Sequence, residues 1–255
     1  MMNPNSISAN NAHRLANRTG LIAALDTPSL DRAEAIAKAI APHTDMLKTG
    51  MEYCYGAGLE KTKEIEQILP IFMDLKLYDI PATVKKGMKS LMRYRPSMVT
   101  IHASGGAEMV KAAKEGLLEG AKENKAAPPI LLAVTVLTSF SAEALSQTGV
   151  PLSPLDQAVL LGKLAIKAGA DGLVCSGHEL ARLRQELGKK PVLVTPGIRP
   201  LGTDTHDQKR TMTPAEAAKA GADWIVVGRP ITQASDPAEA AKDIQEELLN
   251  ALKTA

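Results

Sequence analysis

From residue 21 onward the sequence repeats one rhythm: a short apolar run, a polar or glycine-containing loop, then an amphipathic stretch. The apolar runs fall at 21–25, 44–47, 71–75, 97–101, 130–136, 171–174, 191–195 and 223–227, eight in all. Segments such as 29–41, 58–69, 105–122, 177–187 and 236–252 carry apolar residues three and four apart, the period of a helix packed on one face. Helix starts are predicted at Ser29 with Asp31 and Arg32, at Thr213-Pro214 with Glu216, and at Asp236-Pro237 with Glu239. Near-continuous apolar strands alternating with helices imply a parallel sheet covered by helices. Eight repeats favour a closed (β/α)8 TIM barrel of class α/β over an open sheet, which would have a topological switch point and usually a glycine-rich first turn. The first turn is Asp26-Thr27-Pro28, without a G-x-G-x-x-G pattern.

The 255 residues suit one such barrel. Residues 1–20 read as a polar tail and 21–255 as the catalytic barrel; Ala126-Ala127-Pro128-Pro129 is a helix-to-strand loop and not a domain linker. Aromatic residues make up 3%, too few for a base-stacking nucleic-acid module. Thirty Lys and Arg against 28 Asp and Glu give a net charge of +2 with no clustered excess, so neither nucleic acid nor a membrane surface is an expected partner. Cys54 and Cys175 form no spaced motif, which points away from disulfides and cysteine-rich zinc sites and toward a reduced, cytoplasmic setting. No run reaches 18 apolar residues, and the first 19 residues lack the apolar centre of a signal peptide. Their acid-free composition, with Arg14 and Arg18, is shared with transit peptides, but a polar tail is the simpler reading.

Barrel chemistry sits at the carboxyl ends of the strands. In order, the exits carry Asp26; Lys48; Asp74, Lys76 and Asp79; His102; Thr138 and Ser139; Cys175 and Ser176; Arg199; and Gly228-Arg229. So many charges converging on one mouth would be costly to bury without a ligand. Asp74 and Lys76, two apart on a strand, are expected on the same side, with Asp79 already beyond the strand before Pro81. A lysine between carboxylates keeps its ammonium form, which makes it a poor Schiff-base nucleophile and a good proton donor. Gly228-Arg229-Pro230-Ile231 follows the last strand directly, where barrels often bind phosphate: glycine admits the backbone N–H and arginine adds a bidentate clamp. The loop 196–212, containing Arg199 and Gln208, is long for such a connection and is read as a lid; Lys209 and Arg210 are read as its surface.

Taken together these residues resemble the bacterial type of the orotidine 5′-phosphate decarboxylase family, over nearly the whole chain after residue 20. The carriers are Ala24-Leu25-Asp26, Leu47-Lys48-Thr49-Gly50, the run Asp74-Leu75-Lys76-Leu77-Tyr78-Asp79-Ile80-Pro81-Ala82-Thr83, His102-Ala103-Ser104-Gly105-Gly106, Val134 to Ser139, Thr195 to Pro200, Asp207-Gln208, and Val227 to Thr232. The D-x-K-x-x-D-I-P signature followed by P-G-I-R and G-R-P is specific in this order, whereas D-x-K-x-x-D alone is shared with sugar-phosphate decarboxylases and synthases. Tyr78 stands where His is frequent in bacterial relatives, and Ala82 where Asn is.

The resemblance implies conversion of orotidine 5′-monophosphate to UMP and CO2 in pyrimidine synthesis, with no metal and no organic cofactor. It implies Lys76 as proton donor to the pyrimidine C6, Asp74 beside the departing carboxylate, and Lys48 and Asp79 completing the charged network. Asp26 and Lys48 correspond to ribose contacts, Thr138 and Ser139 to groups near base and ribose, and Arg199, Gln208, Gly228 and Arg229 to the phosphate grip. Asp79 and Thr83 are expected to reach a neighbouring subunit's site, which makes a homodimer with shared sites the active unit. His102 is expected to be a structural hydrogen-bonder at its strand end, since the reaction needs no second base. Two other readings compete. Metal-dependent keto-gulonate-phosphate decarboxylases or hexulose-phosphate synthases use a Glu near the end of strand 2, where this chain has Lys48. A nucleotide-binding sensor without activity would have no use for an intact Asp74, Lys76 and Asp79.

Overall fold

The computed structural model describes residues 18–200 and 212–253. Eight parallel strands, β1 (Gly20–Ala24), β2 (Met46–Thr49), β3 (Ile71–Leu77), β4 (Met98–His102), β5 (Ile130–Val134), β6 (Gly172–Val174), β7 (Val192–Thr195) and β8 (Trp224–Val227), pair in sequence order, and β8 returns to β1 to close the barrel. A main helix follows each strand: α1 (Leu30–Ile40), α2 (Thr62–Glu66), α3 (Pro81–Leu91), α4 (Gly106–Glu123), α5 (Pro154–Lys167), α6 (Leu180–Leu187), α7 (Pro214–Lys219) and α8 (Pro237–Lys253). Short helices Ala142–Ser146 and Arg229–Thr232 are added after β5 and β8.

The three expected helix starts form as read. Ser29 Oγ accepts from the Arg32 N–H, Thr213 and Glu216 exchange side-chain and backbone bonds, and Asp236 Oδ1 accepts from the Ala238 and Glu239 N–H groups. The predicted helix over 58–69 does not form as one piece. A π-turn over Cys54–Gly58 and a 3-10 turn over Leu59–Lys61 precede the five-residue α2. Two glycines mark the break: Gly58 takes φ +102°, and Gly56 packs so closely on Pro28, far away in the chain, that a Cβ would lie 2.3 Å from the proline Cβ.

The core has two layers. Ile22, Met46, Phe72, Met98, Leu132, Val194 and Trp224 fill the barrel interior. A larger shell of aliphatic residues lies between strands and helices, with Leu21, Leu47, Leu131, Leu173 and Ile225 facing outward onto Ile36, Val110, Leu183 and Ile244. The Trp224 ring is fully buried, and Gly20 makes room for it, since a Cβ there would fall 2.3 Å from the indole. No helix among the described residues is long and apolar enough to cross a membrane.

The amino-terminal rim is tied by a repeated device. Asp45, Asp171 and Asp223 each stand just before an even-numbered strand, and each carboxylate accepts the N–H of the second residue of the preceding odd strand: Leu21 at 2.9 Å, Leu131 at 2.8 Å and Leu193 at 2.8 Å. A cation completes each one: Arg18 on Asp45, Lys114 on Asp171 at 2.6 Å, and Arg184 on Asp223 at 2.5 Å. Arg184 also donates to the carbonyls of Gly221 and Pro191, so it joins α6 to the starts of two strands. Thr19 donates to the Ala222 carbonyl, drawing the chain start onto β8. Replacing Asp223 by Ala strands the Arg184 charge and the Leu193 N–H in a poorly solvated rim. We expect a loss of about 3 kcal/mol and a thermal midpoint lower by roughly 6–12 °C, read by calorimetry.

Candidate active site

At the carboxyl ends of the strands opens a cleft of about 560 Å³, within the range of small-molecule sites. One wall carries a chain of alternating charges. Asp26, just past β1, meets Lys48 Nζ at 3.3 Å; Lys48 Nζ lies 3.6 Å from Asp74 Oδ2; and Lys76 Nζ lies 2.6 Å from the same oxygen. Lys48 sits inside β2 rather than beyond its end, because the strand runs on to Thr49. Gly50 keeps this wall open: a Cβ there would stand 3.2 Å from Lys48 Nζ and 3.3 Å from Asp26 Oδ1.

Asp74 and Lys76 do meet, but not by simple strand alternation. Met73 pairs with Val99 and Leu77 with Ile101, so Asp74, Leu75 and Lys76 stand opposite Thr100 alone. This bulge puts Lys76 at φ +50°, a left-handed conformation that is unfavourable for a side-chain-bearing residue. Bulges commonly re-aim a side chain beside a site, and here the bulge turns the ammonium back onto Asp74. Thr100 Oγ1 accepts the Lys76 N–H at 2.9 Å and donates to Asp74 Oδ1 at 2.9 Å.

The electrostatics follow from pairing. Burial alone would raise the Asp74 carboxyl, but Lys48, Lys76 and the Lys76 and Thr100 hydrogen bonds hold it below the usual carboxylate range. Burial likewise works against the Lys48 ammonium, but Asp74 and Asp26 outweigh it and hold it above its ordinary value. Asp74 is therefore a carboxylate near neutral pH, although it is only 8% exposed.

Arg199, Gly228 and Arg229 also line the cleft. Burial and the neighbouring Arg229 charge pull the Arg199 guanidinium below its ordinary value. Arg199 is buried, donates to the carbonyl of Ile198 at 2.8 Å, and its Nε–H has no partner among the described residues. Two guanidiniums side by side make this end of the cleft suited to an anion. A Cβ at Gly228 would meet Ala24 and Asp26 only at ordinary contact distances of 3.7 and 3.9 Å, so the chain's own packing leaves this place open to an approaching ligand. The base of the long loop is fastened by the Arg199 N–H on the Met212 carbonyl at 3.0 Å.

Thr138 also lines the cleft, whereas Ser139 beside it is exposed and does not. Asp79 and Thr83 lie outside the cleft on exposed backbone at the start of α3, where Asp79 Oδ1 accepts the Ile80 N–H at 2.7 Å. Tyr78 and Ile80, 62% and 66% exposed, flank Asp79. Gln208 lies outside the described residues, as do Asp207, Lys209 and Arg210. His102 differs from expectation: its ring meets Tyr78 edge-on with centroids 5.8 Å apart, and no strand-end hydrogen bond to it is found among the described residues. Burial, aided by Lys76, pulls the imidazole below its ordinary value, which favours the neutral ring.

Several lining residues were not read as site residues from the sequence. Val134, Val136, Leu137 and Val174 form an apolar wall at the ends of β5 and β6, and Glu52 and Gln233 stand at the mouth. Gln233 could have been found as the residue after the G-R-P-I-T block. Thr100 carried a fainter cue, a polar residue in the middle of an apolar strand. Burial pushes the Cys175 thiol far above its ordinary range, so the cleft's cysteine is not a nucleophile near neutral pH. Among the described residues no three His, Cys, Asp or Glu side chains are grouped to hold a metal ion.

Comparison with known proteins gives one answer. The family model described as "Orotidine 5'-phosphate decarboxylase / HUMPS family" matches residues 19–244. A curated orotidine 5′-phosphate decarboxylase of Gluconobacter oxydans is 54% identical over 237 residues, covering 93% of this chain and 100% of that protein. One from Anaeromyxobacter sp. is 46% identical, covering 88% of this chain and 96% of its own. Among solved structures, orotidine 5′-phosphate decarboxylase from Lactobacillus acidophilus superposes with a TM-score of 0.80 at 40% identity, covering 91% of this chain and 99% of that one. With a sequence match of this extent and a fold that superposes over nine-tenths of the chain, the chain belongs to the orotidine 5′-phosphate decarboxylase / HUMPS family.

Proposed function

We propose that the protein converts orotidine 5′-monophosphate to UMP and CO2 without a metal or organic cofactor, as a homodimer. The observation that carries this reading is Lys76 Nζ at 2.6 Å from a buried, ionised Asp74, on the wall of a cleft that Arg199 and Arg229 also line. In the reaction the bond between C6 and the substrate carboxylate breaks, and its electron pair stays on C6. Lys76 stabilises that developing charge and passes an Nζ proton to it, while CO2 leaves as a neutral molecule. Asp26 and Lys48 bind ribose hydroxyls, Thr138 lies near base and ribose, and Arg199, Gln208, Gly228 and Arg229 grip the phosphate. Within the family, the metal-dependent sugar-phosphate branch is disfavoured by Lys48, whose ammonium would oppose a divalent cation beside Asp74. The exposed Asp79 and Thr83, flanked by Tyr78 and Ile80, support a contact through which one subunit completes the site of the next.

The deciding measurement is the loss of orotidylate absorbance on adding the protein, with and without a chelator. Equal rates are expected in both arms; no loss, or loss abolished by the chelator, would refute the reading. Lys76→Ala should fold and still bind UMP while kcat drops by several orders of magnitude; near-normal turnover would remove the proton-donor role. For the shared site, inactive Lys76→Ala and Asp79→Ala proteins are mixed under conditions of confirmed subunit exchange. One healthy site per hybrid should restore activity, and its absence would count against the dimeric site.

A further inference from the structure

We infer that Thr100 is a positioning residue for the Asp74–Lys76 pair, its single hydroxyl fixing both the carboxylate and the bulged backbone that carries the lysine. The inference rests on the decarboxylase reading of the same site. Thr100 is 1% exposed and is the one residue of β4 opposite the bulge. Its Oγ1 accepts the Lys76 backbone N–H and donates to Asp74 Oδ1, each at 2.9 Å. A hydroxyl has one proton, so once Oγ1 receives the amide, that proton is free only for the carboxylate. The two carboxylate oxygens then have separate tasks: Oδ1 is tied to Thr100, while Oδ2 faces Lys76 at 2.6 Å and Lys48 at 3.6 Å.

The hydroxyl also does what the ion pair cannot do through a turnover. When Lys76 gives its proton to carbon it loses its charge, and its attraction to Asp74 collapses at that moment. The bond from the Lys76 N–H to Thr100 carries no net charge and persists, holding the left-handed backbone at φ +50° in place until the ammonium is restored. Threonine is stiff at χ1, so the hydroxyl is aimed before substrate arrives. Valine has the same shape but leaves the Lys76 N–H and Asp74 Oδ1 without this partner in a buried place.

The test compares Thr100→Val, Thr100→Ala and Thr100→Ser with the wild-type protein. Thr100→Val and Thr100→Ala should lower kcat about 10- to 100-fold, with KM for orotidylate within about threefold of wild type. Thr100→Ser, which restores both bonds, should recover kcat to within a few-fold. An unchanged kcat in both hydroxyl-free variants, a change confined to KM, or a serine variant as slow as the valine one would overturn the proposal. Failure of both hydroxyl-free variants to fold would assign Thr100 to the fold and overturn it equally. A second readout needs no turnover: carboxyl-carbon NMR of aspartate-labelled protein follows the Asp74 titration, set by Lys48 on β2, Lys76 on β3 and Thr100 on β4. The Asp74 carboxyl should titrate at higher pH in Thr100→Val and not in Thr100→Ser; an unmoved titration in the valine variant would overturn the inference. Wild-type protein that fails to consume orotidylate would sink the decarboxylase reading alone, and the NMR titration would still decide whether Thr100 holds the pair.

Discussion

An ionised carboxylate withdrawn from water has to be answered by charge and hydrogen bonds at once, and Asp74 imposes that demand on the upper half of this barrel. Two ammonium groups reach one of its oxygens and a threonine hydroxyl reaches the other. Strand β3 bulges opposite Thr100, and Lys76 takes a left-handed backbone conformation that the Thr100 hydroxyl helps to hold. Lys48 in turn brings Asp26 inward, and Gly50 has no side chain because the space belongs to that pair. Several otherwise separate features thus follow from a single buried charge.

The two rims of the barrel handle charge in opposite ways. At the amino-terminal rim, Asp45, Asp171 and Asp223 are each satisfied by a cation and a strand N–H, so those charges close the ring and have no capacity left for a ligand. At the carboxyl-terminal rim the lysines and carboxylates are paired with one another, while the Arg199 Nε–H has no partner among the described residues and stands near the like-charged Arg229. A small net charge of +2 gives no hint of this division, since it averages a neutralised base with a polarised mouth.

The barrel was legible because its cause is periodic: eight apolar runs separated by helix-period segments leave few other ways to bury that surface. Asp26, Lys48, Asp74, Lys76, Arg199 and Arg229 were legible for a related reason, since strand ends in this fold point at one place. What escaped depends on register and on packing between distant segments. Residue spacing placed Asp74 and Lys76 on the same side, the right neighbourhood for the wrong cause, because a bulge shows only when β3 is laid against β4. Thr100 escaped with it, its importance coming from what lies opposite and not from its own neighbours in the chain. The broken helix near Gly56 depends on Pro28, nearly thirty residues earlier, which no local window contains.

The charge network also constrains how the proposed reaction can be driven. A substrate carboxylate set against Asp74 would be repelled by about 4 kcal/mol for unit charges at 4 Å and an effective dielectric of 20. Most crowded carboxylates escape such repulsion by taking up a proton. Asp74 is denied that escape, because Lys48, Lys76 and Thr100 all favour its ionised form and hold its carboxyl low. The surrounding lysines reduce the field the substrate meets, so the full repulsion is not felt, but what remains can be relieved only when the substrate's own charge is lost as CO2. Binding energy has to come from elsewhere in the molecule to hold the substrate there, and the two guanidiniums that line the same cleft are suited to supply it from a phosphate away from the bond that breaks. The pairing that makes Asp74 stable inside the protein is thus also what keeps it from yielding to the substrate.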